Sequence, residues 1–197
     1  MKLLILGLLM ERDLHPYEIR KIIKSRNWDE SFKLRDGSLY YAVDQLRASG
    51  HIEPAEVVQV PGEKRPDKVI YHITEKGVAA FQELLIAQFK QISYPQHPVF
   101  SGLPFVRYAE PAKVEPFLAE HLEAGRKRID RLKLVLERKA HYLPRGSTLM
   151  IEGFIAFGET ECDWIERLLE EAKAGTLFTG PKLTLEEIEA YLQQFPD

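Results

Sequence analysis

Two β-rich segments, residues 52–60 and 68–73, lie directly after a run of short helical patterns. A turn-rich and basic tip, residues 61–67, separates them. This succession constrains the fold more than any other feature, because two strand-like runs joined by such a tip predict a β-hairpin. Thr74 is predicted to cap a further helix behind the hairpin.

Three helical patterns precede the hairpin. They cover residues 3–10, a segment that starts at Pro16, and residues 36–49. Proline suits a first helical turn, and Asp36 and Gly50 are the predicted N-cap and left-handed stop of the third helix. Three helices followed by a basic-tipped hairpin predict a winged helix-turn-helix.

The third helix has two distinct faces. Leu39, Ala42, Val43 and Leu46 fall on one apolar arc, which predicts burial. At 3.6 residues per turn, small and hydrogen-bonding side chains then point outwards. Such a face suits a helix lying in the major groove of DNA, where glutamine can bond adenine bidentately. A solvated face without function remains the alternative.

Candidate DNA contacts follow from this orientation, with polar side chains for base edges and cations or tyrosines for phosphates. The candidates are Tyr17, Lys33, Arg35, Ser38, Tyr40, Tyr41, Gln45, Arg47, Lys64, Arg65 and Lys68. An acidic residue, Asp44, stands in the middle of the same face and is expected to repel phosphate.

Four fragments resemble the PadR family of bacterial transcriptional regulators. They are ILGLL at 5–9, LHPYEI at 14–19, GSLY at 37–40 and YHITEKG at 71–77. The resemblance implies a winged helix that binds double-stranded DNA, and a helical dimerisation domain like that of the larger PadR subgroup. It also implies a response to phenolic acids or other aromatic compounds.

A proline-rich connector, residues 93–111, divides the chain. Residues 1–92 are the predicted winged-helix DNA-binding domain, and residues 112–197 the predicted helical dimerisation and effector domain. The expected fold is therefore mainly α with a small β-hairpin. In the second domain, long helices are predicted over residues 114–142 and from a cap at Ser147.

The apolar stripes of these two long helices exceed what one chain can bury, which predicts a homodimer on a palindromic operator, most simply as a repressor. A monomeric helical hairpin stays open as the alternative. The predicted interface residues are Leu118, Leu122, Ile129, Leu132, Leu136, Phe154, Phe157, Trp164 and Leu168.

A hydrophobic effector cavity is a further expectation, with ordinary core packing as the alternative. Its candidate lining comes from the connector and the last long helix: Phe100, Phe105, Tyr108, Phe154, Phe157 and Trp164.

Other functional classes find less support. No phosphate-binding loop or hydrolase motif occurs, and no cofactor is predicted. The acidic cluster 159–163 lacks a histidine at helical spacing, and His121 and His141 look too isolated to be metal ligands. A helical protein-interaction adaptor without DNA binding remains the alternative function.

The basic run 126–133 is interpreted as a solvated face paired with acids of its own helix.

The compartment is predicted from three features. Cys162 is the single cysteine, which fits a reducing cytoplasm. Residues 3–10 are apolar but are too short to span a membrane, and no cleavage site follows them. The expected protein is therefore cytoplasmic.

Overall fold

The computed structural model describes residues 1–32, 34–58, 68–93, 96–181 and 184–193. The chain divides into two compact units, Met1–Tyr94 and Pro95–Asp197. The predicted fold class is confirmed, because the described residues are mainly helical with a two-stranded antiparallel hairpin. Within these ranges, no helix combines the length and the apolar character needed to span a bilayer.

The N-terminal unit has the predicted order of helices and strands, with one short helix added. Its elements are α1 (Lys2–Glu11), α2 (Pro16–Ser25), α3 (Trp28–Ser31), α4 (Asp36–Ala48), β1 (Ile52–Val58), β2 (Lys68–Ile73) and α5 (Glu75–Lys90). The sequence did not predict α3, because four residues are too few to show a helical period. Helices α2 and α4 form the helix-turn-helix.

The hairpin is a regular antiparallel pair at its base, where Ile52 lies opposite Ile73. Leu14 extends this sheet, since its backbone exchanges two 3.1 Å hydrogen bonds with Tyr71. The chain that joins α1 to α2 is therefore fixed to the hairpin, and with it the position of α2.

The core of this unit collects apolar side chains from α1, α2, α4 and the hairpin. Burying a leucine or isoleucine contributes about 1.5–3 kcal/mol each. The buried members are Ile5, Leu6, Leu8, Leu9, Leu14, Ile19, Ile23, Leu39, Ala42, Val43, Leu46, Ile52 and Tyr71. The interpretation of the first apolar run as a buried helix is confirmed.

Helix ends agree with the sequence at several positions. Pro16 is the first residue of α2, Gly50 has a φ of 70°, and the Thr74 hydroxyl accepts a hydrogen bond from Gly77 N. His15 supplies an unexpected cap: its Nδ1 accepts from Tyr17 N, and its own N–H donates to Glu18. This reciprocal arrangement is a capping box.

Two predicted caps are wrong. The N-cap of α4 is Arg35, so Asp36 is already the first helical residue, and the Ser38 hydroxyl donates back to Arg35 O. The second long helix begins at Arg145 behind Pro144, which makes Ser147 an interior residue of the first turn.

The C-terminal unit is helical throughout its described part. Its elements are α6 (Pro98–Gly102), a 3₁₀ helix (Leu103–Tyr108), α7 (Pro111–Lys139), a 3₁₀ helix (Ala140–Tyr142), α8 (Arg145–Ala174), a 3₁₀ helix (Thr176–Phe178) and α9 (Leu185–Gln193). The predicted connector is thus largely structured, because three of its prolines occupy first turns, where no N–H is needed.

Helices α7 and α8 pack closely along their length. A Cβ on Gly125 would lie 2.7 Å from the Cys162 sulfur, and one on Gly158 would lie 3.1 Å from Ile129. The two glycines therefore permit the close approach of the helices. Ile165 of α8 is fully buried in the apolar core that the two helices share.

Ion pairs flank this contact. Arg126 pairs with Glu166 at 2.7 Å, and Lys133 pairs with Glu159 at 2.6 Å. The sequence predicted that the basic run would pair with acids of its own helix, and among the ion pairs of the described residues only that of Lys127 with Glu123 does so. Most of the run instead binds acids on α8, because the two helices lie side by side.

Candidate functional site

Helix α4 separates its residues into a buried and an exposed face as predicted. Leu39, Val43 and Leu46 are buried in the core of the N-terminal unit. Gly37, Ser38, Tyr41, Asp44, Gln45 and Ala48 are exposed. The helix therefore presents a continuous outer face to solvent.

Exposed tyrosines lie on this outer face and next to it. Tyr41 is 68% exposed at its centre, and Tyr40 is exposed beside it. Tyr17, in the first turn of α2, is 58% exposed. Exposed tyrosines offer an apolar ring and a hydroxyl, which suit contact with sugar-phosphate backbone or with a thymine methyl group.

Polar and charged residues complete the face. Asp44, Gln45 and Arg47 are all exposed near the C-terminal end of α4, and Arg35 is exposed at the N-cap. The Ser38 hydroxyl is engaged by its 2.6 Å bond to Arg35 O, so its remaining capacity is that of an acceptor. Gln45, by contrast, is exposed and its side-chain amide has both a donor and an acceptor group for a base edge.

The first turn of α5 holds the C-terminal end of α4. Lys76 Nζ donates to Ser49 O at 2.7 Å, and the Thr74 hydroxyl donates to Gly50 O at 2.8 Å. Thr74 N donates to His51 O at 3.1 Å. The fragment 71–77 that resembles the PadR family is thus a structural clamp on the turn behind α4, which the sequence alone did not indicate.

The remaining predicted DNA contacts are basic residues. Lys33, Lys64 and Arg65 lie outside the described residues, and Lys68 is the first residue of β2. The role of Lys33 before α4, and of Lys64, Arg65 and Lys68 in the wing, therefore stays a prediction from the sequence.

The predicted dimer residues divide into three groups by burial. Leu118, Leu122 and Ile129 are buried within the chain itself, because α7 packs on α8, and little of their surface is left for a partner. Phe157 is 79% exposed. The half-buried members are Leu132, Leu136, Phe154, Trp164 and Leu168.

An apolar pocket of about 460 Å³ lies in the C-terminal unit. It is lined mainly by aliphatic and aromatic side chains of α6, the following 3₁₀ helix and α7, with Lys113 and His121 as polar members. Of the six predicted lining aromatics, only Phe105 takes part. Phe100 and Trp164 instead pack on each other, with ring centroids 4.9 Å apart.

The expectation that His121 is isolated is wrong. His97 and His121 both contact the same carboxylate oxygen, Oε1 of Glu161, at 3.1 and 3.2 Å. Burial raises the pKa of Glu161, but Arg128 and His121 outweigh that effect and hold it below its ordinary value. His97 is distant in sequence from both partners, so spacing gave no signal for this cluster.

Comparisons with known proteins point to one family. The model described as "Transcriptional regulator PadR-like family" matches residues 5–83. Bacillus subtilis PadR in complex with operator DNA superposes with a TM-score of 0.70 at 17% identity, over 87% of this chain and 96% of that chain. No curated protein sequence matches this chain.

Two further structures share the fold. Bacillus subtilis PadR in complex with p-coumaric acid has a TM-score of 0.67 at 17% identity, over 87% of this chain and 98% of that chain. The protein smu.1604c from Streptococcus mutans UA159 has a TM-score of 0.65 at 25% identity, over 86% of this chain and 98% of that chain.

Proposed function

We propose that this chain, whose residues 5–83 match the PadR-like family of transcriptional regulators, is a cytoplasmic, sequence-specific repressor that binds a palindromic DNA operator as a homodimer. The observation that carries the proposal is the exposed polar and aromatic face of α4. A solved relative, Bacillus subtilis PadR, has been crystallised with operator DNA.

In this proposal α4 lies in the major groove. Gln45 contacts a base edge, Tyr41 packs against the groove wall, and Arg35 and Arg47 at the two ends of the helix neutralise phosphates. Asp44 weakens non-specific binding, because a carboxylate near the backbone repels every duplex equally. A specific site must then supply contacts that outweigh this repulsion.

The test compares salt dependence and sequence preference. Gln45→Ala should cost about 1–3 kcal/mol at the preferred duplex and reduce the preference over a scrambled one. Arg47→Ala should weaken both duplexes alike and lower the slope of log K against log salt by about 0.9. Gln82→Ala, the same change at an exposed position of α5, is the matched control.

Two outcomes would count against the proposal. If no duplex is bound in a salt-dependent manner, the chain is better described as a protein-interaction adaptor. If Gln45→Ala and Gln82→Ala behave alike, the orientation of α4 on DNA is wrong.

The dimer contact is proposed on one side of the paired long helices. Arg128 of α7 forms an ion pair with Glu161 of α8. These two residues therefore lie on the same side of the helix pair. Helical spacing then brings Leu132 on α7 to the side that carries Phe154 and Phe157 on α8. This patch contains three of the six predicted interface residues that are not buried within the chain.

The apolar pocket is the proposed effector site. Its volume lies in the usual range for small-molecule sites, and Lys113 can attract an acidic group. Bacillus subtilis PadR has been crystallised with p-coumaric acid, which motivates an aromatic acid as the first probe. Leu103→Trp should fill the pocket and abolish the probe's effect on DNA binding. Leu149→Trp, an exposed leucine outside the pocket, should leave the effect unchanged.

A further inference from the structure

Three side chains from three elements of the C-terminal unit converge on one point. His97 precedes α6 as its N-cap, His121 lies in α7 and Glu161 lies in α8. One imidazole nitrogen from each histidine and one carboxylate oxygen all lie within 4.8 Å of one another. Two imidazoles and one carboxylate are a donor set that suits zinc and similar divalent ions.

The distances fit a tetrahedral ion. Ligands about 2.0–2.1 Å from a tetrahedral zinc lie roughly 3.3–3.4 Å from each other. The distances from Glu161 Oε1 to His97 Nε2 and His121 Nε2 are 3.1 and 3.2 Å. Two of the three ligand-to-ligand distances therefore suit a tetrahedral ion, and the two imidazoles offer nitrogens within 4.8 Å of each other.

The surroundings hold these ligands in place. Arg128 donates to the second oxygen of Glu161 at 2.5 Å, which leaves Oε1 for the histidines. The His97 side chain is only 14% exposed, stacks on His121 and meets the edge of Trp164. Bound carboxylates and imidazoles in metal sites are commonly oriented by such outer contacts.

We propose that His97, His121 and Glu161 bind one divalent transition-metal ion of the zinc type, with the fourth coordination position left to water. Three protein ligands and one open position are a recurrent zinc arrangement. Purely structural hydrogen bonding within the cluster is the competing account that the experiment must exclude.

Metal binding would change which nitrogen of the His97 ring carries the proton. Val99 N donates to His97 Nδ1 over a long 3.3 Å bond, so neutral His97 carries its proton on Nε2. A metal on Nε2 requires that this proton be absent, and the neutral ring then carries its proton on Nδ1. The bond from Val99 must break, and the amide signal of Val99 should move when metal binds.

The experiment titrates the metal-free full-length protein with Zn²⁺ by calorimetry, and with Co²⁺ by visible absorption. We expect one ion per chain and the intense cobalt bands of a tetrahedral site. His121→Gln and Glu161→Gln should lower the affinity by more than the roughly 10–100-fold that loss of an outer partner costs. His141→Ala, an exposed histidine of the same unit, is the control.

Wild-type protein alone supplies a second measurement if a variant fails to fold. Zn²⁺ should shift the Val99 amide resonance in an NMR titration that saturates at one equivalent. The proposal is overturned if wild-type protein binds no stoichiometric ion or if Val99 does not respond. It is equally overturned if His141→Ala weakens binding as much as His121→Gln.

Discussion

Gly77 lies where the structure leaves no room for a side chain. It is the third residue of α5, and a Cβ there would lie 2.0 Å from His51 O and 2.6 Å from Ile73 Cγ1. His51 O already accepts a hydrogen bond from Thr74 N. The clash is with backbone, so Gly77→Ala can be accommodated only if the start of α5 moves.

The expected free-energy change follows from three contributions. Overpacking costs about 1–3 kcal/mol, and a disturbed Thr74 cap costs about 1 kcal/mol. Replacing a helical glycine by alanine stabilises the helix by about 0.5–1 kcal/mol, which offsets part of this cost. Gly77→Ala should therefore destabilise the N-terminal unit by about 1–3.5 kcal/mol and weaken DNA binding, because the same turn clamps α4.

Fluorescence-detected urea unfolding measures this change. The chain has two tryptophans, so a Trp164→Phe background leaves Trp28 as the reporter of the N-terminal unit. Gly37→Ala is the matched control, because Gly37 is helical and a Cβ there meets nothing within 4 Å. If Gly77→Ala is as stable as Gly37→Ala, the clamp does not hold α4 as described.

Three further predictions address other parts of the chain. Phe157→Lys should shift the light-scattering mass from about twice 22.7 kDa towards the monomer value, because an exposed apolar contact is replaced by a charge. Asp44→Asn should tighten binding to scrambled duplex DNA in fluorescence anisotropy, since a repulsive carboxylate is removed. Hydrogen bonds from Thr184 hold the pKa of Glu187 below its ordinary 4.5, so its contribution to the start of α9 is present above pH 4.5 and is lost as the pH falls through the lowered pKa. Glu187→Gln should remove this pH dependence of the Thr184 amide resonance.

The N-terminal unit could be predicted in detail because its signals are local. Apolar spacing in α4, proline at the start of α2 and glycine after α4 each act within a few residues. The cap of α4 was misplaced by one residue, because both Arg35 and Asp36 precede the first buried leucine.

The C-terminal unit was harder because its contacts join distant residues. The spacing of Leu118, Leu122 and Ile129 shows an apolar stripe but not whether the partner helix belongs to the same chain. Burial against α8 answers that question for these three residues. The approach of His97 to Glu161, 64 residues away, depends on how α6 packs and leaves no pattern in the sequence.

Selection of bound sequences from a random duplex pool tests the central claim most directly. The wild-type protein should enrich an inverted repeat whose half-sites lie about one DNA turn apart, roughly 34 Å. Gln45→Ala should lose the preference at one position of each half-site and keep the spacing. A folded wild-type protein that enriches no sequence over the starting pool would contradict the assignment of α4 as a reader of DNA.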